Sequence, residues 1–173
     1  MTTVSYSDLV NNVVPKLSVP TFSGTESVLE CGYAYVDCGW WLVPIRRGSK
    51  HPGSILGKGW PEKSSNQKSQ LDIWFKGQGD LGIALHTGKS GAFVVDVDNP
   101  EELTQSMKKV LRETGAPYQS TRTNAVGRGH FVFALPSGVR YTNSPGSLGT
   151  LWGEIRTGNS VIIAEPSVRV KAA

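Results

Sequence analysis

The run Ala92-Phe93-Val94-Val95-Asp96-Val97-Asp98 constrains the fold more than any other stretch of this 173-residue chain. Its β-branched and aromatic residues read as a strand. Side chains alternate along a strand, so Val95 and Val97 face a core while Asp96 and Asp98 share the opposite face. A carboxylate inside so apolar a run is costly unless it is paired, exposed at a sheet edge or bound to a metal ion. The chain must therefore bring partners to Asp96 from neighbouring strands. Gly129-His130 and Glu154-Ile155-Arg156, both in strand-like segments, offer them. Three adjacent strands would focus an acidic, a basic and a second acidic group on one spot, an arrangement suited to metal-assisted phosphoryl transfer.

Around that run, 20 Gly and 10 Pro are spread between short apolar stretches, which predicts many turns joining short elements. Residues 1–22 form a weakly patterned N-terminal arm, packed or mobile, with a short helix around residues 8–14. Residues 23–173 form one catalytic-sized domain. Ser23-Gly24-Thr25-Glu26 has the form of a capping box and predicts a helix over residues 25–38, stopped by Gly39. A strand over 40–45 enters a loop carrying Lys50-His51-Pro52 and Gly59-Trp60-Pro61, and a helix opening at Ser69 bears Ile73, Trp74 and Phe75. Strands follow over 81–86 and 92–98. Pro100, Glu101 and Glu102 suit a helical first turn, and Leu103, Met107, Val110 and Leu111 make an apolar stripe, so a helix is expected from Pro100 to near Gly115. Strands are expected over 118–123, 129–135, 150–156 and 160–164, with a candidate last one over 167–171. No regular βαβ repeat is present, which favours α+β architecture, with mixed or antiparallel sheets and flanking helices, over a doubly wound sheet.

No apolar run approaches the roughly 20 residues that span a bilayer, and Met1-Thr2-Thr3-Val4 lacks the charged and apolar regions of a signal peptide. These features point to a soluble cytoplasmic protein. Cys31 and Cys38, seven apart on one expected helix, lie about 10 Å apart along its axis, beyond the ~7 Å Cα limit of a disulfide. They are read as thiols. No cluster of Cys and His has zinc-binding spacing, so no zinc is expected. The formal charge of +4 is unevenly placed: Arg46, Arg47, Lys50, Lys58, Lys63, Lys68 and Lys76 face only Glu62 and Asp72 in the same segment. That basic segment either faces a polyanion or is simply solvated.

Each candidate residue has a plainer reading as well. Asp98 or Asn99 could cap the helix at Pro100, though this leaves Asp96 unexplained. Glu154 and Arg156, on one strand face with Trp152, could be a surface ion pair. His130 follows Gly127-Arg128-Gly129, a small-residue turn that would let a phosphate approach backbone, imidazole and the Arg128 guanidinium together.

In their order, these pieces form a recognisable set: Gly82-Ile83-Ala84 through Thr87-Gly88, Val94-Val95-Asp96-Val97-Asp98, Thr123 with Gly127-Arg128-Gly129-His130-Phe131-Val132-Phe133, Glu154-Ile155-Arg156, and Ala164-Glu165-Pro166-Ser167. The set resembles the primase–polymerase (Prim-Pol) domain of the archaeo-eukaryotic primase superfamily, found in replication proteins of phages and plasmids. Gly39-Trp40, Pro44, Lys50-His51-Pro52, Gly59-Trp60 and Ile73-Trp74 extend the resemblance to about residues 28–167.

The resemblance implies an α/β N-terminal unit and an RRM-like module with the active site between them. The implied activity is that of a DNA primase and DNA polymerase. Asp96 and Asp98 match the family's first acidic motif, which holds divalent metal, and His130 matches the histidine that contacts nucleotide phosphates. Glu154 stands where the third metal-binding carboxylate, more usually Asp, belongs; its extra methylene leaves the choice between Mg²⁺ and Mn²⁺ open. Arg128 occupies a position where many relatives carry Ser. Asp96, Asp98, His130 and Glu154 are the expected catalytic set, with a pair of ions about 3.5–4 Å apart. Arg128 and Arg156 would meet the triphosphate. Lys50, Arg46 and Arg47 would hold nucleotide or template phosphates, and Trp60 would either stack on a base or anchor the core. The expected partners are single-stranded DNA template and primer, dNTP or NTP, and a helicase domain of the same full-length protein if this chain is a piece of one; the expected location is the host-cell cytoplasm. Two other classes stay open, a metal-dependent nuclease or phosphoesterase and a non-catalytic single-stranded DNA-binding module.

Overall fold

The Ser-x-x-Glu pattern occurs twice in succession near the start of the folded chain, at Ser23…Glu26 and Ser27…Glu30, and in the computed structural model the second copy caps the helix. The structure describes residues 17–121, 125–136, 138–139 and 151–167. Ser27 Oγ accepts from Glu30 N at 3.3 Å and the Glu30 carboxylate accepts from Ser27 N at 2.7 Å, which opens α1 (Val28–Asp37) three residues later than expected. The first copy folds on itself ahead of the helix, Ser23 N donating to Glu26 at 3.0 Å. Gly39, at φ +92°, then turns the chain away as expected.

The remaining elements are β1 (Leu42–Arg46), α2 (Gly53–Leu56), α3 (Trp60–Lys63), α4 (Lys68–Phe75), β2 (Leu81–His86), β3 (Ala92–Val97), α5 (Gln105–Glu113), β4 (Tyr118–Ser120), β5 (Gly129–Ala134), β6 (Gly153–Arg156) and β7 (Val161–Ala164). Two expectations need correction. The stretch read as a loop after β1 contains α2 and α3, joined by a 3₁₀ turn. The helix expected from Pro100 is broken: Pro100–Glu102 is a 3₁₀ turn, Leu103 is extended, and Thr104 Oγ1 accepts from Met107 N at 3.2 Å to start α5 afresh. The expected strands over 118–123 and 150–156 are shorter than read, and their residues 122–123 and 150 lie outside the described residues. So do the expected helix over 8–14 and all but Ser167 of the candidate strand over 167–171.

The strands form two antiparallel sheets, in the orders β1-β2-β7 and β4-β5-β3-β6, and the architecture is α+β. One face of the first sheet (Leu42, Ile83, Leu85, Ile162, Ala164) packs with Cys31 and Tyr35 of α1, Leu71 and Phe75 of α4, and Ala92, Val94 and Val132 of the second sheet. Its other face (Val43, Ile45, Ala84, Val161) lies under Leu56 and Trp60. The outer face of the second sheet (Phe93, Val95, Val97, Phe131, Phe133, Ile155) packs with Leu103, Met107 and Leu111 and with Trp152. The central strand β3 is thus covered on both faces, which explains its nearly unbroken apolar sequence. The last residues of the arm join the first core: Leu17 is buried, and Trp40 Nε1 donates to Ser18 O at 2.8 Å.

His86 closes β2 beneath Trp60, the rings 4.9 Å apart and edge-on, and its Nδ1 lies 2.9 Å from the Ser64 hydroxyl. Burial is the main reason its pKa falls below the ordinary 6.5, with the Lys89 charge adding to the effect.

Two measurements test this account. In urea denaturation, Ser27→Ala should cost about 1 kcal/mol and Ser23→Ala clearly less, because only Ser27 caps α1. A histidine whose folded pKa is depressed stays neutral while the unfolded chain takes up a proton, so stability should fall as pH drops below about 6.5 and level off beneath the folded value. His86→Gln should reduce that slope between pH 7 and 5; His130, also depressed by burial, keeps part of it.

Candidate active site

The register of the second sheet places four polar residues in one row. On the central strand Asp96 pairs with His130 of β5 on one side and Glu154 of β6 on the other, and His130 pairs in turn with Gln119 of β4. Directly opposed residues point to the same face, so Gln119, His130, Asp96 and Glu154 form a polar line across the sheet. The same face is apolar further along, at Val94, Val132, Ala92 and Ala134, where it meets the first core. It therefore turns from hydrophobic to polar within one step of the strand repeat.

Glycines allow the row to close up. Gly129 and Gly153 flank Val97 from either side, one residue before His130 and Glu154. A Cβ on Gly153 would lie 2.0 Å from Asp96 O, and one on Gly129 would lie 2.2 Å from Gln119 O. Gly153 also sits at φ +149°, where side chains are rarely tolerated.

Every carboxylate of the row and its neighbour is met by an arginine. Arg156 Nε donates to Asp96 Oδ2 at 2.9 Å, and its Nη2 donates to Glu154 Oε1. Arg128 Nη2 donates to Asp98 Oδ1 at 2.5 Å. His130 Nε2 lies 3.5 Å from Asp96 Oδ1, and its Nδ1 lies 3.3 Å from Gln119 Oε1. Burial holds the His130 pKa below its ordinary value; the Asp96 charge pulls it back up and the Arg156 charge pushes it further down. The imidazole is thus neutral at neutral pH.

The row forms one wall of a cleft of about 310 Å³ between the two sheets. Asp96, Asp98, Arg128, His130 and Arg156 line it, facing β7 and the loop that carries Lys50. Glu154 does not line the cleft; it is reached through Arg156, which does.

The other expected residues divide. Lys50 is at the cleft, whereas Arg46 and Arg47 do not line it: Arg46 Nε donates to Ser54 O at 3.2 Å, and Arg47 lies 4.0 Å from Asp80. Trp60 packs against the outer core of the first sheet and edge-on to His86. Trp152 does not share the Glu154 face; it precedes β6 and packs into the outer core with Leu103 and Leu111. Gln119, which carries no motif in the sequence, joins the row through register and also donates to the buried Tyr35 hydroxyl at 3.4 Å. Only knowledge of the strand pairing could have pointed to it.

Among the described residues, no group of three or more His, Cys, Asp or Glu is gathered in a metal-holding arrangement. The three carboxylates are drawn to two arginines, because paired acids at a partly buried site need counter-charge. The donor chemistry still suits a hard cation, since Asp96 and Glu154 offer only oxygen ligands from directly opposed strand positions and Asp98 follows two residues on at the cleft.

The family model described as the N-terminal domain of bifunctional DNA primase/polymerases (Prim-Pol) matches residues 33–173. This chain belongs to the Prim-Pol family. Searches of curated proteins and of solved structures returned no match. A Prim-Pol domain is a nucleotidyltransferase with DNA primase and polymerase activity, acting on DNA and nucleotides. The match spans α1 from Tyr33 onward, both sheets and the whole polar row. Among the described residues, no helix of this Prim-Pol domain is long and apolar enough to cross a membrane.

Because Gly153 lets β6 press against the Asp96 carbonyl, Gly153→Ala should destabilise the domain by more than about 2 kcal/mol in denaturant unfolding.

Proposed function

We propose that this Prim-Pol domain synthesises and extends primers on a single-stranded DNA template in phage or plasmid replication, with Asp96, Asp98 and Glu154 as the residues that hold Mg²⁺ or Mn²⁺. The reading is carried by one observation: the sheet register sets Asp96 between His130 and Glu154 at the wall of a cleft that also presents Lys50, Arg128 and Arg156. Acidic groups with a neutral imidazole and arginine and lysine charge beside them suit a triphosphate and the oxygen that attacks it.

Divalent ions, when bound, would lower the pKa of the attacking 3′-hydroxyl and stabilise the departing pyrophosphate. The chain's own groups do the rest. Arg128 and Arg156 neutralise phosphate oxygens with forked donors, His130 donates a hydrogen bond from its neutral ring to a phosphate oxygen, and Lys50 on the facing loop holds nucleotide or template phosphate. Asp96 is fixed by its place in the central strand, so its carboxylate is presented with little freedom to lose. Coupled to a helicase domain in a longer protein, such a unit would prime the strand being unwound.

A metal-dependent nuclease or phosphoesterase could use the same carboxylates, but it has less need of the Lys50, Arg128 and Arg156 charges around one cleft. A non-catalytic DNA-binding module has no need of a buried Asp96.

The test is synthesis and extension on a single-stranded template with dNTP or NTP and either Mg²⁺ or Mn²⁺. The full chain should incorporate nucleotides, and Asp96→Asn should reduce incorporation by at least about 100-fold. Absence of incorporation under every combination, or an Asp96→Asn variant as active as wild type, rejects the proposal.

A further inference from the structure

The acidic groups at the head of the cleft carry three negative charges against the two positive charges of Arg128 and Arg156. Arg156 is the most committed of these groups. Its Nε and Nη2 hold Asp96 and Glu154, and its Nη1 reaches across to Val161 O on β7 at 3.4 Å. It therefore touches both sheets that enclose the cleft, yet about a third of its side chain remains exposed there. Glu154 is not among the residues lining the cleft, and its Oε1 accepts from this guanidinium.

A guanidinium and a divalent cation cannot occupy the same carboxylate oxygens, because each repels the other at a few ångströms. The guanidinium fork matches phosphate oxygens as well as it matches carboxylate. A buried Asp96 also cannot be left without counter-charge when the cleft is empty.

We propose that Arg156 is an exchangeable counter-ion, bound to Asp96 and Glu154 in the empty cleft and to the triphosphate of the incoming nucleotide in the filled one. The proposal rests on the primase–polymerase reading of the site. Its consequence is that the affinity of Asp96 and Glu154 for a divalent cation depends on whether a nucleotide is present to draw Arg156 away. Linkage makes the effect mutual, so the cation strengthens nucleotide binding by the same factor. Arg156 acts on the carboxylates it releases as a positioning residue, and it reaches substrate only after that release.

The test is Mn²⁺ binding to the full chain by electron paramagnetic resonance, alone and with a non-hydrolysable dATP analogue, for wild type, Arg156→Gln and Arg156→Lys. Without nucleotide, Arg156→Gln should bind Mn²⁺ on the order of tenfold more tightly than wild type, and the enhancement produced by the analogue should shrink by a similar factor. Arg156→Lys keeps the charge and loses the fork, so it should fall between the two. If the analogue binds but Arg156→Gln takes up Mn²⁺ no more tightly than wild type, the exchange is overturned and the primase–polymerase reading stands. If neither protein binds Mn²⁺ with or without the analogue, that reading falls and the exchange falls with it. Should Arg156→Gln fail to fold, the wild-type Arg156 Nε–Hε resonance, assigned by its loss in Arg156→Lys, decides the matter: Mg²⁺ with the analogue should shift it, and an unmoved resonance overturns the proposal.

Discussion

An ionised carboxylate on a strand covered from both sides costs several kcal/mol unless other groups meet its charge, and Asp96 occupies such a place, 9% exposed on the central strand β3. Much else in the molecule answers that requirement. Strand β5 brings His130 to one side, β6 brings Glu154 to the other, and Arg156, two residues beyond Glu154, turns back to close the ion pair. Gly129 and Gly153 let the neighbouring backbones approach where a methyl group would collide. The site is thus a product of strand order: were β6 paired elsewhere, Asp96 would keep its apolar neighbours and lose its charge partner.

The cleft follows from the way one sheet face serves two purposes. Ala92, Val94, Val132 and Ala134 hold the second sheet against the first, and at the next positions along the same strands the face becomes polar. The packed end fixes the distance and tilt of the open end, where β7 and the Lys50 loop form the opposite wall. Side chains in a close-packed core have little room to shift, so the polar groups inherit its rigidity. Arg156 is a long side chain that bridges the two walls, from Asp96 on one to Val161 O on the other.

Parts of this were legible in the residues. The alternation in Ala92–Val97 set Val95 and Val97 opposite Asp96, and the second sheet bears that out, with Val95 and Val97 in the outer core and Asp96 in the polar row. The errors came where two local signals competed. Ser23…Glu26 and Ser27…Glu30 are equivalent as patterns, and in the fold only the second caps α1. Pro100 begins a helical turn, but Thr104 offers a better cap and the helix restarts there. Trp152 precedes β6 and turns outward, because Gly153 departs from ordinary strand geometry and ends the alternation that would have put it beside Glu154.

By itself, the sequence determined the α+β class, most of the strands, and the identity of the acidic, basic and imidazole residues that chemistry would need, because periodicity and residue type are local properties. The tertiary structure decided which of them meet. Gln119 enters the row and Arg46 and Arg47 stay out of the cleft because strand register and loop path are set by packing between distant segments. The pairing of each carboxylate with an arginine was likewise decided there, since opposite charges from different strands become neighbours only after the sheet has brought them together.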